Sequence, residues 1–276
     1  MPPSIAHGSG VRVLIITGFG LNCERETAAA FRRVGAVPEQ VHLNDLLAGD
    51  RTLDEFHLLA FIGGFSFGDH LGAGTVFANR VKFRLRDQLE GFIAAGRLVI
   101  GICNGFQTLT RLGIVPALDG AYFTPQAALA HNDSGTFRDD WIHLRAEPKS
   151  PCVFTRGLDR LRLPIRHGEG KFVATEEILD RLEAEHQVAL RYTDPDGNPE
   201  CGFPDNPNGS LRHIAGICDA TGRVFGLMPH PEAFLSPFND PTWPRRQHDG
   251  PLPAEGEGVA IFRNAVEYAA GAFLKA

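Results

Sequence analysis

The stretch LVIGICNGFQ, residues 98–107, constrains the fold more than any other. Leu98, Val99, Ile100 and Ile102 form a run with no polar face, as expected of a strand covered on both sides in a parallel sheet. After Cys103 the period changes, and Phe106, Leu109 and Leu112 recur at helical spacing. A buried strand, a sharp turn carrying one thiol and a helix starting beneath it make a nucleophile elbow. The helix N-terminus supplies unpaired N–H groups and the positive end of its dipole, both of which favour a thiolate at Cys103. Most free cysteines are inert core residues. Gly101 and Gly105, which let strand and helix approach closely on either side of Cys103, weigh against that here.

The rest of the N-terminal half repeats the alternation. Residues 11–17 (VRVLIIT) predict a strand, residues 41–43 a second and residues 58–62 (LLAFI) a third. A helix with Ala28, Ala29, Phe31 and Val34 follows the first, and a helical stripe runs over 75–95. Such alternation predicts a doubly wound α/β sheet whose ligands sit outside the carboxyl ends of the strands. The loop GGFSFGD, Gly63 to Asp69, lies at one such end, and its glycines bring backbone N–H groups close to a ligand. The N–H groups of Gly64, Phe65 and Ser66 are therefore candidates, with that of Asn104, for holding an oxyanion. The turn Gly18 to Cys23 lacks the spacing of a phosphate loop, and nothing near it in sequence is a base for Cys23.

In the C-terminal half, strands are expected over 127–146, 162–165 and 187–192, with helices over 176–184 and 259–273. Residues 214–218 and 224–228 read as a hairpin around Asp219-Ala220-Thr221-Gly222. Its second strand delivers Pro229-His230-Pro231-Glu232, and residues i and i+2 of extended chain project together. An imidazole beside a carboxylate has its tautomer fixed and its cation stabilised. Cys103, His230 and Glu232 thus compose a thiol triad able to transfer an acyl group through a thioester. Cys218 reads as core, and Cys152 and Cys201 fall in loops without a role. Residues 233–256 read as an extended loop whose prolines exclude a regular helix, with Phe234, Phe238 and Trp243 as apolar anchors for a partner. The alternative is a loop packed on its own subunit.

Composition sets the outer limits. A hydrophobic share of 43% and a charged share of 22% over 276 residues describe an ordinary soluble domain. A net charge of −6 gives no reason to expect nucleic acid or an anionic membrane. Five scattered cysteines without a CxxC pair predict neither a metal site nor a disulfide scaffold, and fit a cytoplasmic protein. Residues 1–10 read as a loose tail rather than a signal peptide, and residues 11–276 as a single domain. No apolar run has membrane-spanning length.

Taken in order, GGFSFGD, CNGFQ, HGEGKF, NPNGS with IAGICD, GLMPHPE and IFRNAVEY resemble the class I (triad) glutamine amidotransferases. Within them they are most similar to the glutaminase subunits of phosphoribosylformylglycinamidine synthases, over Val11 to Phe273. The resemblance implies a flavodoxin-like three-layer α/β/α sandwich with a mostly parallel central sheet. It also implies hydrolysis of L-glutamine to glutamate and ammonia by Cys103, His230 and Glu232. Ammonia would pass to a large synthetase subunit, often with a small third subunit, that amidates formylglycinamide ribonucleotide in purine biosynthesis. ATP and Mg belong to that partner, and no cofactor is expected on this chain. Gln107 matches the elbow glutamine tied to substrate amide recognition, and the turn holding His167 and Gly168 would border the α-amino and α-carboxylate groups. Ala233 stands where the family has arginine. Two rival readings are a γ-glutamyl hydrolase-like enzyme of the same fold and a non-catalytic binding subunit. GGFSFGD and HGEG argue against the first, and the complete Cys-His-Glu set against the second.

Overall fold

The computed structural model describes residues 9–199 and 201–274, so most of the tail expected over residues 1–10 lies outside the described residues. The first half runs β1 (Arg12–Thr17), α1 (Glu24–Arg33), β2 (Val37–His42), α2 (Leu43–Ala48), β3 (Leu58–Phe61), α3 (Thr75–Arg84), α4 (Arg86–Ala94), β4 (Leu98–Ile102) and α5 (Asn104–Leu112). Then come β5 (Ala128–Ala130), β6 (Arg138–Ala146), β7 (Arg160–His167), β8 (Lys171–Val173), α6 (Glu176–Ala184) and β9 (Val188–Thr193). The chain closes with β10 (Ile214–Cys218), β11 (Val224–Leu227), α7 (Trp243–Asp249) and α8 (Val259–Phe273). Among the described residues no helix is long and apolar enough to cross a membrane.

Nine strands form one sheet in the order β2-β1-β3-β4-β11-β10-β9-β6-β7, and β5 pairs with β8 in a separate ribbon. The first five strands of that order are mutually parallel. The other four continue the sheet antiparallel, beginning with the β10–β11 hairpin, in which Gly216 faces Leu227. Every residue of β3, β4, β10 and β11 is buried, which is why these strands read as unbroken apolar runs. From β1 the chain crosses to β2 on one side, and from β3 to β4 on the other. Right-handed crossovers therefore put α1 and α3 on opposite faces of the sheet, giving the three layers. On one face Phe31 of α1 meets Phe262 of α8 edge-on at 4.9 Å between ring centroids. On the other, α5 packs over β3, β4 and β11 and against α3.

Three expectations are corrected. Strand β2 begins at Val37, well before the expected residues 41–43, because an edge strand half open to solvent carries Glu39 and Gln40 and loses its apolar signal. The stripe over 75–95 is two helices, broken where Leu85 leaves helical geometry (φ −123°) and turns into the core. The segment 233–256 is not helix-free: α7 runs through it with Pro244 in the first turn, where an absent N–H costs nothing. The segment is also tied to its own subunit. The buried Asp240 carboxylate accepts hydrogen bonds from Arg162 (2.7 Å) and Arg246 (2.8 Å). Burial opposes its ionisation, but the Arg162 bond and the other donors hold its carboxyl well below the usual range. Phe234 is buried edge-on against Trp141, so it is a core residue rather than a docking anchor, whereas Phe238 is 62% exposed.

Candidate active site

Four neighbouring parallel strands, β1, β3, β4 and β11, end on one rim of the sheet, and each hands over to a loop that carries a group of interest. Beyond β4, Cys103 takes φ 51° and ψ −107°, a conformation that side chains rarely adopt, and α5 starts at the next residue. The turn is tight enough that a Cβ on Gly105 would stand 2.0 Å from the Phe61 carbonyl oxygen. The Gln107 N–H is the first to bond back, to the Cys103 carbonyl (3.0 Å), which leaves the Asn104 N–H ahead of the helical ladder. The Cys103 thiol rests as a donor to the Arg166 carbonyl at 3.6 Å.

Beyond β11, His230 and Glu232 are both buried, and His230 Nδ1 pairs with a Glu232 carboxylate oxygen at 2.5 Å. Burial alone would disfavour the imidazolium. The Glu232 charge and the sulfurs of Cys103 and Cys23 outweigh it and push the pKa of His230 well above the ordinary imidazole value. His230 Nε2 has no hydrogen bond of normal geometry and is fully enclosed. The ring's position is also set by β3: a Cβ on Gly63 would lie 2.8 Å from His230 Cε1 and 3.0 Å from Cys23 Sγ, so only glycine fits unchanged.

The GGFSFGD loop is narrower as an oxyanion site than expected. The Phe65 N–H is already bonded to the Gly20 carbonyl (3.0 Å), and the Ser66 N–H points to Asn104 Oδ1 (3.4 Å). Gly64 remains, held at φ 141°, where a Cβ would stand 2.6 Å from the Leu21 α-carbon and any side chain would collide. Gln107 is likewise occupied, donating to the Glu169 carbonyl (2.6 Å) and accepting from Asn104 Nδ2 (3.0 Å). His167 is buried, with Nδ1 on Asn132 Oδ1 at 3.2 Å. Burial and the nearby His230 cation bring its pKa down to about 3, so it is neutral.

A cavity of about 110 Å³ opens above the thiol and is lined by Gly64, Cys103, Gln107, His167 and Gly168. Asp69, Phe137, Arg166 and Glu169 complete its wall and were not singled out in the sequence. Arg166 and Glu169 flank the His167-Gly168 pair, and Asp69 ends GGFSFGD, so their motifs carried a signal; Phe137 had none. It meets Phe65 at the mouth, 6.2 Å between centroids. A larger cavity, about 580 Å³, lies at the far antiparallel edge between Arg162, Arg246 and Glu257, and brings no nucleophile. Cys23, expected to have no base, sits beside His230. Cys218 is core as read, and Cys152 lies in a loop as read and is buried.

A family model described as a CobB/CobQ-like glutamine amidotransferase domain matches residues 10–269. The phosphoribosylformylglycinamidine synthase subunit PurQ of Methanococcus maripaludis is 43% identical over 264 residues, covering 93% of this chain and 97% of the relative. That of Dehalococcoides mccartyi is 46% identical over 263 residues, covering 95% and 98%. Among solved structures, a chain of PurLQS from Thermotoga maritima superposes with a TM-score of 0.70 at 30% identity, covering 94% of this chain and 99% of that one. An elbow thiol, a buried His-Glu pair and likeness along nearly the whole chain agree, and the chain belongs to the glutamine amidotransferases, in the family of PurQ subunits of phosphoribosylformylglycinamidine synthase.

Proposed function

We propose that this chain releases ammonia from L-glutamine for a phosphoribosylformylglycinamidine synthase, with Cys103 as nucleophile, His230 as base and then acid, and Glu232 as its orienting anion. The observation that carries the reading is the buried His230–Glu232 pair set against Cys103, whose elbow opens on one small cavity. With its proton held on His230 as a thiolate–imidazolium pair, Cys103 Sγ adds to the side-chain carboxamide carbon of glutamine. The negative oxygen is met by the N–H groups of Asn104 and Gly64. His230 returns the proton to the departing nitrogen, ammonia leaves, and a γ-glutamyl thioester remains. Water, deprotonated by the same ring, cleaves the thioester to glutamate and restores the thiol.

Substrate recognition follows from the cavity wall. Asp69 and Glu169 suit the α-ammonium group and Arg166 the α-carboxylate, while Phe65 and Phe137 cover the mouth. Burial raises the Asp69 pKa, partly offset by the Asn104 hydrogen bond, and a cation in the cavity would favour its charged form. Ammonia passes to a large synthetase subunit, with a small third subunit, and likeness to a chain of PurLQS from Thermotoga maritima supports such an assembly. ATP and Mg act there to amidate formylglycinamide ribonucleotide. A cytoplasmic location fits five unpaired cysteines.

The test is Cys103→Ala in the assembled synthase. Glutamine-dependent amidation should vanish while added ammonia still supports it. Loss of both activities in an assembled complex would sink the division of labour.

A further inference from the structure

Cys23 has no part in that mechanism, yet it joins the same cluster. Its sulfur, a ring nitrogen of His230 and a carboxylate oxygen of Glu232 all lie within 4.8 Å of one another, and all three residues are buried. A further atom there points to a missing partner: Glu232 Oε2 is enclosed without a hydrogen bond, and His230 Nε2 is enclosed with only the thiols beside the ring. The Cys103 sulfur interacts with the same ring and lines the cavity.

We propose that Cys23, His230 and Glu232, closed by Cys103, form a site for a soft divalent cation of the zinc type, whose binding switches the glutaminase off. This rests on the triad reading above for its consequence, but not for the binding itself. Thiolate, imidazole and carboxylate together suit zinc, whereas magnesium and calcium prefer oxygen alone. Charge favours it as well: a dication offsets two of the three negative charges that the Cys23 and Cys103 thiolates and the Glu232 carboxylate bring together, which lowers the cost of burying them. Zinc–ligand bonds of about 2.0–2.3 Å put tetrahedral ligand atoms roughly 3.3–3.8 Å apart. The widest separation need close by at most about 1.5 Å, while the His230 Nδ1–Glu232 pair at 2.5 Å gives up its proton and opens by about 1 Å, a matter of small side-chain rotations. Binding displaces the proton of each coordinating thiol and the proton of His230, so affinity rises with pH. With the ring and the Cys103 sulfur both engaged, no base and no nucleophile remain.

The experiment titrates the full chain with Co²⁺, read by thiolate-to-metal charge-transfer absorption, and with Zn²⁺ by equilibrium dialysis and inhibition of glutamine hydrolysis. The wild type should bind one equivalent with a thiolate band. Cys23→Ser should weaken zinc binding, and raise the inhibitory zinc concentration, at least about tenfold. Cys103→Ala should keep a thiolate band from Cys23, and Cys152→Ala should change nothing. Absence of any thiolate band in the wild type, or unchanged affinity in Cys23→Ser, overturns the proposal without needing the variant to be active. If Cys103→Ala still hydrolysed glutamine while the band depended on Cys23, the mechanism would fail and the metal site would stand.

Discussion

Glu232→Gln separates charge from shape at the buried pair. The two side chains are nearly isosteric, so the packing around His230 and Glu232, each 2% exposed, is kept. In the native site the carboxylate accepts from Nδ1 at 2.5 Å and helps hold the ring protonated. An amide in its place can donate to Nδ1, which moves the remaining ring proton to Nε2. The ring then cannot accept the proton of Cys103. Loss of a buried charge-assisted hydrogen bond is worth about 1.5–3 kcal/mol, or about 10- to 150-fold in rate. The wrong tautomer adds to this, and kcat should fall about 10³- to 10⁴-fold. Glu232 does not line the cavity, so KM should change by no more than about threefold. The assay is glutamate release by the assembled synthase, with thermal melting of the isolated chain as the control for folding. A kcat within about tenfold of native would show that another group orients the histidine.

Three further outcomes follow from the geometry. Gly63→Ala places a methyl 2.8 Å from His230 Cε1. It should cut kcat by up to about 100-fold through displacement of the ring, with the chain still folded; unchanged turnover would mean the ring has room to spare. Asp240→Asn should lower stability in urea by about 2–3 kcal/mol at neutral pH, because the buried carboxylate loses its charge between two arginines. Since folding depresses the Asp240 pKa, that contribution is present above the unfolded value of about 3.9 and fades as pH falls below it. The gap between variant and native should therefore narrow in acid, and a gap independent of pH would count against it. Phe238→Ala with Trp243→Ala removes an edge-to-face pair at 5.2 Å on the exposed side of the 233–256 segment. Affinity for the synthetase subunit should drop by about 1–3 kcal/mol, and unchanged affinity by titration would leave that pair a packing role only.

Whatever depends on local period or local turn chemistry was legible in the chain itself. The Cys103 elbow, the PHPE step off β11, the β10–β11 hairpin and the bounds of α6 and α8 all rest on neighbours a few residues apart. Local signals also misled where exposure or position changes their meaning, as with polar β2 at the sheet edge and Pro244 at a helix start. Tertiary structure alone decided which loops meet. Cys23, Gly63, Cys103 and His230 share one rim because β1, β3, β4 and β11 are neighbours, and that order follows from crossover handedness and from burying both faces of the sheet. The same holds for β7, an edge strand far from β4 in the sheet order, whose end brings the Arg166 carbonyl to the Cys103 thiol. A thiol that looked isolated in sequence thereby acquires a histidine and a carboxylate as neighbours, since proximity across loops is set by the whole sheet and by no single stretch of it.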